Sequence, residues 1–181
     1  EEDRMALLQK EKELVGMYLS SHPLDKYTFE LENFTNCKVG DIATAITECE
    51  RKRKGMKVQT AGFITSFKKM LTKSGKDWSK TLIEDYDGSY ELALFGMDHQ
   101  NFMPLLQEHS AVFLEGEIAE KYYVKPEEAR EKGPAPYTFK LKKVSLLSTV
   151  SDNLLKGFAI NVSTPMLTPE FRSRLMQVLA G

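Results

Sequence analysis

At 181 residues, with 41% hydrophobic and 28% charged side chains and a net charge of −1, the chain is long enough for one well-cored domain with flanking elements, which excludes a disordered or fibrous protein. The longest apolar runs, such as Ala111-Val112-Phe113-Leu114, are far too short to cross a bilayer, and no charged-then-apolar leader precedes a cleavage site, so a cytoplasmic protein with no membrane partner is expected. Cys37 and Cys49 have neither the paired spacing of a zinc site nor the number of a disulfide scaffold, and read as plain thiols.

Residues 1 to about 21 place apolar side chains at Leu7/Leu8, Leu14/Val15 and Tyr18/Leu19, a helical spacing that Ser21-His22-Pro23 stops. A second short helical piece is expected from about Asp25 to Glu32. Neither can bury its apolar stripe alone, so both must pack on something else. His22, beside the break, reads as a capping or packing residue. The start at Glu1, without methionine, and the finish at Leu179-Ala180-Gly181, just after an amphipathic run, suggest ends cut from a longer protein. After the turn Lys38-Val39-Gly40-Asp41, the run Ile42 to Cys49 leads into a basic segment read as a connector.

Charge is laid out unevenly there. From Arg51 to Lys80 ten residues are basic (Arg51, Lys52, Arg53, Lys54, Lys57, Lys68, Lys69, Lys73, Lys76, Lys80) and only Asp77 is acidic, giving +9 against −10 for the remainder. Clustered lysines attract phosphates and release their counterions, so a polyanion-binding surface would produce this pattern. Lysines protecting an exposed strand edge would produce it equally well.

From about Met56 to Leu147 the pattern changes to short β-like runs between turn residues. Val58, Thr60, Gly62 and Ile64 alternate through strand one, and Thr72-Lys73-Ser74-Gly75-Lys76 forms a loop. Strand two runs from about Trp78 to Asp85. The connection Asp85-Tyr86-Asp87-Gly88 then favours a hairpin into strand three, Tyr90 to Phe95. Asn101 to His109 carries Phe102, Leu105 and Leu106 at helical spacing, with Pro104 tolerable only in a first turn. Strand four extends from Ala111 towards Tyr123, with Val112, Leu114, Gly116 and Ile118 on one face. A charged loop, Lys125 to Pro136, precedes strand five, Tyr137 to Leu147. Three strands, a helix and two strands are the order of the five-stranded OB-fold barrel. Gly62 and Gly116, inside strands, suit the bends that closing so small a barrel demands.

On strand two, Ser79, Thr81 and Ile83 point one way and Trp78, Lys80 and Leu82 the other. Tyr90, Leu92 and Leu94 make the better core set on strand three, leaving Glu91, Ala93 and Phe95 outside. The outer face then presents Trp78 and Lys80 beside a loop holding Lys73 and Lys76, with Lys68 and Lys69 on the preceding strand. A ring beside lysines is a platform for single strands: bases stack on the ring while ammonium groups follow the phosphates. A core tryptophan with a satisfied indole N–H is the structural alternative. Tyr122, Tyr123 and Lys125 form a second such cluster at the lip of the loop between strands four and five, with edge packing as the alternative.

No Gly-rich phosphate loop, zinc-protease helix or nucleophile elbow is present. Asp85 and Asp87 read as turn-formers rather than metal ligands. No catalytic residue, metal ligand or cofactor site is expected in this chain.

Two segments carry a resemblance. Glu11-Lys12-Glu13-Leu14-Val15-Gly16-Met17-Tyr18-Leu19-Ser20-Ser21-His22-Pro23-Leu24 resembles the "E-x-x-x-x-G-x-Y-L-x-x-H-P" stretch of the bacterial DNA polymerase III alpha subunit, which ends the helical region before that family's OB domain. Thr72-Lys73-Ser74-Gly75-Lys76 with Thr81-Leu82-Ile83-Glu84-Asp85-Tyr86-Asp87-Gly88 is similar to the family's first loop and second strand, and the likeness continues through Glu91 to Phe95 and Val112 to Gly116. The resemblance implies a carboxy-terminal piece of the polymerase: residues 1–50 helical segment and connector, 51–150 OB domain, 151–181 the truncated start of a tau-binding domain, with a strand-like Phe158 to Val162 and a helix from Thr168 to Leu179. It further implies contact with single-stranded template, neighbouring tau and sliding-clamp subunits, and a parent enzyme, a DNA-directed DNA polymerase, whose catalytic aspartates and Mg2+ lie outside this chain. Lys80 departs from the apolar residue that relatives often carry in strand two. The expected function is single-stranded DNA binding without catalysis; a spacer or protein-interaction module that has lost nucleic-acid affinity is the alternative. An anticodon-binding OB domain of a tRNA synthetase would need a synthetase domain downstream, which the tail does not resemble.

Overall fold

Five antiparallel strands in the order β3-β2-β1-β4-β5 organise the computed structural model: β1 (Met56–Leu71), β2 (Asp77–Glu84), β3 (Ser89–Phe95), β4 (Ala111–Glu120) and β5 (Tyr137–Leu146). The structure describes residues 7–8, 10–11, 14–16, 18, 21–122, 133–157 and 168–179. Helices α1 (Thr28–Phe34) and α2 (Ile42–Lys52) precede the sheet, α3 (Gly96–Phe102) lies between β3 and β4, and α4 (Val150–Leu154) and α5 (Pro169–Leu179) follow it. This is the OB-fold order, with β1 shared between both halves of the sheet. The sheet stays open between β3 and β5, where Tyr90 and Phe139 meet edge to face at 6.2 Å.

One strand serves two partners because it bends. β1 pairs with β4 over Met56–Phe63 and with β2 over Phe63–Leu71, and its register with β2 shifts between Ile64 and Ser66, leaving Thr65 as the extra residue of a bulge. Gly62 sits at the crossing, where a Cβ would lie 2.5 Å from Ile83 Cγ2. At Gly116, beside the irregular register of β4 with β5, a Cβ would overlap the Lys140 carbonyl oxygen.

Inward residues build the main core, with Val58, Ile64, Ile83, Leu114 and Ile118 almost wholly buried and α2 adding Ile42 and Cys49. Burying each such aliphatic side chain contributes about 1.5–3 kcal/mol. A second core forms on the opposite face, where Ala61, Phe63 and Phe113 pack under Leu24, Leu147 and Val150. The amino-terminal segment therefore finds its packing partner on the outside of β1 and β4.

Three elements differ from their sequence-based expectation. The run Ile42 to Cys49 is no prelude to a connector: the helix reaches Lys52, Arg53 ends it in the left-handed conformation (φ 49°), and only residues 53–55 separate it from β1. The helix expected over Asn101 to His109 lies earlier, at Gly96–Phe102, because Pro104 has no N–H to donate: the helical ladder is interrupted after the bond from Met103 N to His99 O (3.0 Å), although Met103 itself keeps right-handed backbone. The piece expected from Asp25 begins as a 3-10 turn (Asp25–Tyr27) and continues as α1. The described residues between 7 and 15 are helical, whereas the strand-like stretch Phe158 to Val162 lies outside the described residues. Among the described residues no helix is long and apolar enough to cross a membrane.

Candidate nucleic-acid interface

The outward face of β1, β2 and β3 follows from the register. Met70, Trp78 and Phe95 are cross-strand partners in one row, Lys68, Lys80 and Ala93 in the next, and Ser66, Leu82 and Glu91 in the third. The opposite side holds Ser79, Thr81 and Ile83, all buried, so the division of β2 expected from sequence is the observed one.

Trp78 is half-buried and stacks on Phe95 with ring planes 9° apart and centroids 5.0 Å apart. That spacing matches neighbouring strands, so the two rings stand side by side with their edges towards solvent. Phe95 is 56% exposed and Met70 41%. Phe95 and Met70 were missing from the sequence-based site, although Phe95 was already placed on the outer face; only register reveals that they flank Trp78.

The lysines fall into separate groups. Lys73 and Lys76 ride a tight loop in which Thr72 N donates to Lys76 O (2.8 Å), Gly75 N to Thr72 O (2.9 Å) and Lys76 N to Thr72 Oγ1 (2.9 Å), with Gly75 at φ +76°. This turn leaves both lysines exposed at the Trp78 end of the sheet. Lys68 lies on the Trp78 face and Lys69, paired with Ser79, on the other. None of these four has a carboxylate partner among the described residues. Lys80 does: its Nζ lies 2.6 Å from Glu91 Oε2.

The rest of the +9 segment is elsewhere, which corrects the idea of one continuous basic surface. Lys52 pairs with Glu48 (2.7 Å), and Arg53 bonds Glu120 (2.7 Å) and the Ala135 carbonyl (3.1 Å) while lying over Tyr137. Lys57 pairs in register with Glu117. About eleven residues of strand, roughly 35 Å of extended chain, separate Lys57 from Lys68. Tyr122 is exposed just beyond β4, whose Ile118 pairs with Met56 at the start of β1, the opposite end from Met70 and Trp78. Tyr123 and Lys125 lie outside the described residues.

At the far end of β2, Asp85 Oδ1 accepts from the Asp87 and Gly88 N–H groups (both 2.9 Å) and Asp85 Oδ2 from Val39 N (2.6 Å); Asp87 pairs with Lys38 at 2.9 Å. Both carboxylates are thus engaged in holding the turn. Among the described residues no group of three or more His, Cys, Asp or Glu could hold a metal ion. His22 packs as expected, its Nδ1 accepting from Leu24 N (3.2 Å) and its ring 4.3 Å from Tyr86. Burial, then Asp41 and Asp85, raises the Cys37 thiol above its ordinary pKa, so it is not a thiolate poised for chemistry.

Sequence comparison finds DNA polymerase III alpha subunits repeatedly. The Haemophilus influenzae subunit is 25% identical over 173 residues, covering 96% of this chain and 14% of that protein. Those of Saccharopolyspora erythraea and Pseudomonas fluorescens are 29% identical over 118 residues and 30% over 113, covering 65% and 62% of this chain. The chain spans only 14%, 10% and 9% of these three relatives. No protein-family model matches the chain. Among solved structures, the mitochondrial single-stranded DNA-binding protein of S. cerevisiae aligns with a TM-score of 0.33 at 20% identity, over 51% of this chain and 95% of that one. An Entamoeba histolytica asparaginyl-tRNA synthetase aligns at 0.35 and 15% identity, over 80% of this chain and 32% of that one. Strand order, rather than these overlays, identifies the fold.

Proposed function

We infer, taking as premise that the chain is related to the alpha subunit of DNA polymerase III and matches a short segment of it, that its OB-fold binds single-stranded DNA for a replicative polymerase and performs no catalysis itself. One observation carries the reading: the Trp78–Phe95 stack on the outer face of β1–β3, flanked by a loop whose Lys73 and Lys76 have no carboxylate partner among the described residues. Unpaired bases gain about 1–3 kcal/mol each by stacking on such rings, and lysines at the loop add phosphate contacts that depend on salt but not on sequence. In the parent polymerase this would hold template, with tau and the sliding clamp as neighbouring subunits.

Titrating labelled oligo-dT into the chain tests this. Binding should weaken as salt rises, with a log–log slope near −3 if about four phosphates are touched. Absence of binding at low salt rejects the reading. A spacer role is the second reading, favoured by the Lys80–Glu91 pair, which puts an acid on the same face as the rings. Trp78→Ala separates them: lost oligonucleotide affinity in a folded variant supports the first.

A further inference from the structure

The one tryptophan is the obvious stacking residue, yet its surroundings leave little of it to stack on. Across the sheet its register partners are Met70 on β1 and Phe95 on β2's other partner, β3, so the indole has a strand on either side and Phe95 lies against one of its faces. The indole and phenyl planes differ by only 9°. Phe95 differs in position: β3 ends the strand order, so among the described residues no strand flanks Phe95 on its far side, and 56% of the residue is exposed. A ring supported on one face and open on the other is the arrangement that accepts a further flat ring.

We propose that Phe95 is the residue on which an unpaired nucleobase stacks, extending a Met70–Trp78–Phe95 row by one more layer over the edge of β3, while Trp78 acts as the positioning residue that holds the phenyl ring upright. This rests on the single-strand-binding reading above. The ligand class is any unpaired base: the row offers π-faces and a thioether and no hydrogen-bonding group of its own apart from the indole N–H, so discrimination among bases is weak. Phosphates on one side of the stacked base then come within reach of the Lys73–Lys76 loop, which adjoins Trp78 in sequence.

Oligo-dT affinity of the 181-residue chain should fall at least tenfold in Phe95→Leu, which keeps apolar bulk but removes the ring, and less than threefold in Phe95→Tyr. Trp78→Phe, which keeps a supporting ring, should lose less than Phe95→Leu. Because substitution could disturb β3, the unaltered chain supplies a second measurement: irradiation with oligonucleotides carrying 5-iodouracil, followed by peptide mapping, should place the adduct on Phe95. Binding with the adduct confined to Trp78, or Phe95→Leu binding as tightly as the unaltered chain, overturns the Phe95 assignment and leaves single-strand binding intact. An unaltered chain that binds no oligonucleotide at low salt overturns both.

Discussion

Gly40 and Gly88 meet backbone to backbone: a Cβ on Gly88 would lie 2.9 Å from the Gly40 Cα, and one on Gly40 would lie 3.0 Å from the Gly88 Cα. Around this contact Lys38 pairs with Asp87 and Val39 N donates to Asp85, so the turn before α2 is pinned to the β2–β3 hairpin. Alanine at either position should therefore push the two turns apart. Gly88→Ala is expected to lower the unfolding free energy by about 1–3 kcal/mol, read as a lower urea midpoint. A raised midpoint, the outcome if alanine merely restricted the unfolded chain, would show that the turns do not touch.

The same hairpin holds the amino-terminal segment through Tyr86, whose hydroxyl donates to Asp25 at 2.8 Å. Burial first, and then the hydrogen bond and charge of Asp25, push this phenol well above its ordinary pKa. A raised folded-state pKa gives stability that is complete below the unfolded value, about 10, and lost as pH rises through the folded value. Tyr86→Phe should cost about 1 kcal/mol at neutral pH, a modest figure because the residue is half-exposed. That deficit should shrink above pH 10. Denaturation curves for both proteins at neutral and alkaline pH check this, and a deficit independent of pH would detach Tyr86 from Asp25.

Much of the sheet was legible because its signals are local. Alternation through Val58, Thr60, Gly62 and Ile64 and the turn chemistry of Asp85-Tyr86-Asp87-Gly88 each depend on a few neighbouring residues, and strands one to five appear where they were expected. The helix before β4 was displaced because apolar spacing at Phe102, Leu105 and Leu106 outweighed Pro104, whereas backbone chemistry stops the helix at Phe102. The candidate site was only half legible. Facing of Trp78 followed from period two, but hydropathy could not say which face of β2 is inside, since Ser79 and Thr81 are buried there and Leu82 is only half-buried on the other side. Cross-strand partners such as Met70 and Phe95 depend on register, which a bulge near Thr65 alters and no run of sequence displays.

Charge counting failed for the same reason, and Arg53 against Lys76 measures the failure. Arg53 bonds Glu120 and Ala135 and covers Tyr137, joining the end of α2 to the β4–β5 region. Arg53→Ala should lower stability by about 1 kcal/mol and leave oligonucleotide affinity and its salt slope unchanged. Lys76→Ala should do the opposite, leaving stability within about 0.5 kcal/mol and making the slope shallower by about 0.7, one phosphate contact of a single strand. Equal effects of the two on the slope would mean that the basic segment acts as one diffuse field.

Among the described residues Glu91 is the one acid in direct contact with a lysine of the ring-bearing face, its Oε2 2.6 Å from Lys80 Nζ with both side chains about half exposed. A pair so exposed contributes about 0–1 kcal/mol to folding, so Glu91→Gln should leave the midpoint of unfolding nearly unchanged. Its effect on binding should be larger. A phosphate approaching Lys80 must now displace a carboxylate and meets its repulsion; with glutamine it meets a free ammonium group. Oligo-dT affinity is expected to rise roughly threefold to tenfold at low salt, a gain of about 0.7–1.4 kcal/mol, with the salt slope steeper by about 0.7 as one more phosphate is neutralised. Fluorescence titration at several salt concentrations reads both quantities. Tighter binding with no change of slope would place the benefit in relief of repulsion alone, and no change in either would remove Lys80 from the interface, leaving Lys73 and Lys76 to supply the phosphate contacts.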